Sequence, residues 1–165
     1  MAKATAEDKN RVLADEPINV KLKLAALWTS FMFLYVYVDV FGFYTPGIIE
    51  GILVGEVFTF QITPTFILVA LVSVTIPGLM IFLSLALPAR VNRWTNIVVA
   101  TLYIPYSLFN LLGAGSWIHY YFGAGVEVVL LAIVLWYAWK WPRTSVDATQ
   151  RAEANDRKTV QPQDL

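Results

Sequence analysis

Residues 64–93 read PTFILVALVSVTIPGLMIFLSLALPARVNR. No Asp, Glu, Lys or Arg occurs between Pro64 and Ala89; Arg90 and Arg93 then close the run. About 20 apolar residues suffice for a helix to cross a hydrocarbon core of about 30 Å. Pro64 suits a first helical turn, and Pro77-Gly78 predicts a kink near the middle. Pro88-Ala89-Arg90 ends the helix, and Val91-Asn92-Arg93 is expected to form a tight turn into Trp94. Working outward, the charge pattern repeats. All 12 Lys and Arg fall within Lys3–Lys23, Arg90–Arg93 and Lys140–Lys158. The connections at 45–63 and 113–116 contain neither. Basic residues in short loops mark the cytoplasmic side. The expected fold is therefore all-α: a four-helix transmembrane bundle, with both termini cytoplasmic.

The other crossings follow from the same reading. The first is expected over 24–44, about 31 Å as a helix, with Asp39 its one charge and Thr45-Pro46-Gly47 its stop. The third is expected over 95–112, with Pro105 inside. The fourth is expected over 117–141, with Glu127 its one carboxyl and Pro142 its stop. Between the first two crossings, residues 47–63 are too apolar for a solvated loop and are interrupted by Gly51 and Gly55. They are expected to form an amphipathic or re-entrant segment over the outer end. Trp28, Trp94, Trp136, Trp139 and Trp141 are expected to form an interfacial aromatic belt. Gly113, Gly115, Gly123 and Gly125 are expected to let the third and fourth crossings approach closely. The two hairpins differ in loop length and proline position, so no inverted repeat is visible.

Composition agrees with this reading. The chain has 165 residues, 58% hydrophobic and 15% charged, against about 25% charged in soluble domains. Formal net charge is zero, which gives no sign of a nucleic-acid partner. The expected partner is the lipid bilayer, with the basic clusters anchoring to anionic headgroups. With no cysteine, disulfide and thiolate chemistry are excluded. Residues 1–20 form a polar cytoplasmic segment without an apolar h-region, so no cleavable signal peptide is expected. Residues 21–143 form the membrane domain, and 144–165 are expected to be a disordered cytoplasmic tail.

Polar groups inside spans are costly and often mark function. Asp39, Asn110, His119 and Glu127 fall in the outer half. His119, Gly123 and Glu127 are spaced i, i+4, i+8 and are read as one helical face. Tyr35 pairs with Asp39, and Tyr106 with Asn110, at i, i+4. Converging faces would enclose a pocket with two carboxyls at different depths beside a histidine, the elements of acid/base work or a proton relay. Each residue also has a structural reading. Asp39 can cap a helix or bind tyrosine hydroxyls, His119 can sit at the interface, and Asn110 can tie helices together. Glu127 is the hardest to explain structurally. Asp39, His119 and Glu127 make a mixed O/N donor set, but no local metal motif accompanies them. No phosphate-binding loop, dinucleotide fingerprint or nucleophile elbow is present, so no cofactor is expected.

The stretch Lys21-Leu-Lys-Leu-Ala-Ala-Leu-Trp-Thr-Ser-Phe-Met-Phe33, with Tyr35, Tyr37, Asp39 and Tyr44-Thr-Pro-Gly47, together with Ile133-Val-Leu-Trp-Tyr-Ala-Trp-Lys-Trp-Pro142, resembles a family of small bacterial four-helix membrane proteins of unknown function. The resemblance covers 20–143. It implies a bacterial inner-membrane location and assigns no activity. Three function classes remain open. The first is binding or transport of a small hydrophobic molecule, ion or proton, with a homo-oligomer expected for a path this thin. The second is acid/base catalysis (isomerase, cyclase or hydrolase) on a lipid-like substrate. The third is a structural subunit of a larger membrane complex.

Overall fold

The computed structural model describes residues 17–112 and 114–142. In chain order its elements are α1 (Val20–Gly42), α2 (Ile48–Leu53), β1 (Glu56–Val57), β2 (Phe60–Gln61), α3 (Pro64–Ala86), α4 (Ala89–Phe109) and α5 (Ile118–Trp139). Helices α1, α3 and α5 are long and apolar enough to cross a membrane. Helix α4 has comparable length but carries Arg90, Asn92, Arg93 and Asn96 in its first half, which lowers its hydropathy. The expected tail at 144–165, most of the N-terminal segment and Gly113 lie outside the described residues.

Several boundaries differ from expectation for local reasons. Helix α1 starts four residues early because the Asn19 side chain accepts a hydrogen bond from Lys21 N at 2.9 Å, an N-cap that satisfies one free donor of the first turn. Thr63 caps α3 in the same way, accepting from Phe66 N at 3.1 Å with Pro64 at the first helical position. Val91-Asn92-Arg93 is not a turn. Only Leu87 and Pro88 separate α3 from α4, and Asn92 is already helical and buried. The segment between α1 and α3 resolves into α2 and a hairpin pairing Glu56 with Gln61 and Val57 with Phe60.

The long helices neighbour one another in the order α1, α3, α4, α5 and back to α1, and α3 packs closely on α1 but sparsely on α4. The core lies toward the end that carries the α1 N-terminus. Leu24, Trp28, Phe31, Met80, Ala100, Tyr103, Leu131 and Val134 fill it. Trp28 is 0% exposed and donates from Nε1 to Asn96 Oδ1 at 2.7 Å. It is thus a core anchor and not a member of an interfacial belt, whereas Trp94, Trp136 and Trp139 are exposed. Asn96 in turn donates to Asn92 O and Oδ1, and Asn92 donates to Ser84 O. Every amide in this buried cluster is therefore engaged, as a polar group withdrawn from water requires.

The basic residues here close helix ends. Lys21 Nζ donates to Leu87 O at 2.7 Å and Leu85 O at 3.2 Å, and Arg93 Nε donates to Ala138 O at 3.1 Å. These carbonyls belong to the last turns of α3 and α5, where intrahelical donors run out. A cation there also complements the negative end of the helix dipole.

Among the described glycines, close approach occurs between α1 and α5, and not between α4 and α5 as expected. A Cβ at Gly123 would overlap Val38 Cγ2, and one at Gly42 would meet Tyr120 Oη at 2.5 Å. Gly125 faces open space, and Gly115 serves a turn at φ 55°. Pro77 lies inside α3. Its missing N–H leaves Ser73 O without the usual i+4 donor. The Tyr103 hydroxyl from α4 donates to that carbonyl instead, and Tyr106 Oη donates to Ser73 Oγ at 2.8 Å.

Candidate functional site

The buried residues of α3 are Pro77, Met80 and Ser84. Its other half, from Pro64 to Ile76, is not packed into the core, and a cavity of about 380 Å³ lies there. Each wall is one face of a helix. Helix α1 contributes Tyr35, Val38 and Asp39; α3 contributes Phe66, Val69, Ala70 and Ser73. Tyr106, Ser107 and Asn110 come from α4, and Tyr120, Ala124 and Glu127 from α5. Phe58 and Phe60 of the hairpin also line it. These spacings of three, four and seven are those of residues stacked along one side of a helix.

Five of the six residues singled out from sequence therefore meet: Glu127, Asp39, Asn110, Tyr35 and Tyr106. His119 does not line the cavity. At about 100° per residue an i+8 neighbour lies about 80° around the helix, so His119 and Glu127 do not share a face. The true set on α5 is Tyr120, Ala124 and Glu127. The His119 ring packs against Tyr120, with centroids 4.1 Å apart, and near Trp117. Its Nε2 is buried without a partner. Among the described residues no three of His, Asp and Glu are grouped to hold a metal ion.

The polar groups differ in how well they are satisfied. Asn110 Nδ2 donates to Tyr35 Oη at 3.1 Å, tying the end of α4 to α1. Asp39 keeps an exposed surface, while Glu127 is 4% exposed. Both carboxyls line the same cavity. Ser107 of α4 lines the cavity with them; it is 0% exposed and its Oγ has no partner among the described residues. Sequence reasoning missed Ser107 and Tyr120. The i+4 spacing of Tyr103 and Ser107, and the i+7 spacing of Tyr120 and Glu127, were the available signals.

The hairpin adds a conformational feature. Phe58 adopts φ 51°, a left-handed backbone that bulky residues disfavour. Its ring packs edge-on against Tyr120 at 6.1 Å. Such strain persists only where packing holds it, and it tends to cluster at functional sites.

The molecule is thus a predominantly helical protein with three membrane-span candidates and an acidic, aromatic-lined cavity at one end. Residues 15–148 match the DUF6326 family of unknown function, and the chain belongs to that family. Comparison with curated proteins and with solved structures returns no match.

Proposed function

We propose that the chain is a four-crossing protein of a bacterial plasma membrane, with both termini cytoplasmic, that binds a small, mainly apolar molecule in the outer cavity. One observation carries the binding reading: both carboxyls of the spans, Asp39 and Glu127, line one cavity together with the unpaired Ser107 hydroxyl. About 380 Å³ falls within the usual range for ligand pockets. The packed core around Trp28, Phe31 and Met80 lies beyond its inner end, which favours a dead-end pocket over a through-path for ions. A dead end also suits the acid/base enzyme reading, with Glu127 and Asp39 as the reacting groups.

Native mass spectrometry of protein purified in mild detergent, wild type beside Glu127→Gln, tests the binding reading. The expected result is a discrete co-purifying adduct that the variant loses. An unliganded wild type that also fails to take up added lipophilic probes would overturn it. An adduct whose mass changes on incubation would move the assignment to catalysis. The topology has its own test, because the chain is free of cysteine. Cysteines replacing the exposed Leu53 and Arg90 mark the two ends. An impermeant maleimide on intact cells should label Leu53→Cys and spare Arg90→Cys; the reverse pattern inverts the orientation.

A further inference from the structure

We propose that the cavity takes a lipophilic amine, with the protonated nitrogen set against Asp39, Glu127 and Ser107 and the apolar body against the aromatic wall. This rests on the reading of the cavity as a ligand site. The argument is one of complementarity. Among the described residues the lining carries two carboxyls and no Lys, Arg or His. An anion placed there meets like charge with nothing to offset it. A purely apolar ligand leaves the fully buried Ser107 hydroxyl without a partner, a cost of about 1–3 kcal/mol, and offers the Glu127 carboxyl no donor. An ammonium has three donors and no acceptor; it suits the carboxylate oxygens and the lone pairs of Ser107 Oγ, whose own O–H is left to donate to a carboxylate. The Asn110 amide and the Tyr106 hydroxyl are already engaged with Tyr35 and Ser73. They frame the site without competing for the cation.

The apolar part of the wall points the same way. Phe58, Phe60, Phe66, Phe109 and Tyr120 line the same cavity as the two carboxyls. Aromatic ring faces attract cations, more strongly where water is excluded. A small, strongly hydrated metal ion gains little from such a wall, and the described residues offer no three-ligand group for one. A cation that carries its own hydrocarbon body satisfies both halves of the cavity.

The test uses one skeleton with three heads: phenylbutylamine, phenylbutanol and phenylbutanoate. Binding to the full chain in lipid nanodiscs is measured by equilibrium dialysis against empty nanodiscs. The amine is expected to bind at least about ten-fold more tightly than the alcohol, the scale of one charge-assisted pair, with the acid weakest. Asp39→Asn and Glu127→Gln should each remove most of the amine's advantage over the alcohol. Ala124→Phe, which fills the cavity, should abolish saturable binding of all three. If the alcohol or the acid matches the amine and Ala124→Phe blocks both, the amine assignment is overturned and the cavity remains a ligand site. If no probe binds, or binding survives Ala124→Phe, both readings fall. The comparison of heads on the wild type does not depend on any variant folding.

Discussion

Trp28→Ala should lower stability by about 3–5 kcal/mol, the range for truncating a large buried aromatic. Trp28 is the largest of the fully buried side chains and contacts Phe31 edge-on at 5.8 Å. Truncation empties the core and also removes the donor to Asn96 Oδ1. The remaining side-chain donor to that oxygen is Ser84 Oγ at 3.4 Å, too long to compensate. Where helices associate in lipid, close packing is the main attraction between them, so the lost contacts are felt in full. Trp28→Phe separates the two contributions: it keeps most of the ring contacts, loses the N–H, and should cost about 0.6–2 kcal/mol. Unfolding in mixed micelles with increasing dodecyl sulfate, followed by far-ultraviolet circular dichroism, measures both. A Trp28→Ala midpoint indistinguishable from wild type would remove Trp28 from the core.

The second large effect is conditional. Tyr103→Phe should cost about 1–3 kcal/mol, because Ser73 O loses its donor in an apolar setting. That penalty exists only because Pro77 cannot supply the i+4 hydrogen bond. In a Pro77→Ala background the restored N–H reaches Ser73 O along the helix, and the same Tyr103→Phe change should cost well under half as much. The same micelle titration on the four proteins of the cycle reads the coupling. Strict additivity would mean that Tyr103 does not substitute for the missing donor.

The helices were legible because long apolar runs bounded by proline and charge leave few alternatives. The depth of Asp39, Asn110 and Glu127 was legible for the same reason, and these residues line one cavity. Rotation about the helix axis was less legible. Assigning His119 and Glu127 to one face ignored the drift that accumulates over eight residues, and Tyr120 held the place given to His119. The Asn92–Asn96–Trp28 cluster was missed because Asn92 looked like a turn residue beside Pro88. In an apolar assembly an Asn pair at i, i+4 reads better as a buried network seeking partners. Glycine partners were invisible as well, since spacing shows that two helices can approach closely but not which two.

The end of α3 has a consequence for how the chain is put together. Its last carbonyls are satisfied by Lys21 from α1, which precedes them in the chain, and by Asn92 from α4, which follows. Helix α3 therefore does not contain the means of its own termination. Its last acceptors are closed on one side by a segment earlier in the chain and on the other by one later in it. Completing that end takes three segments at once, so it forms only when all three are in place.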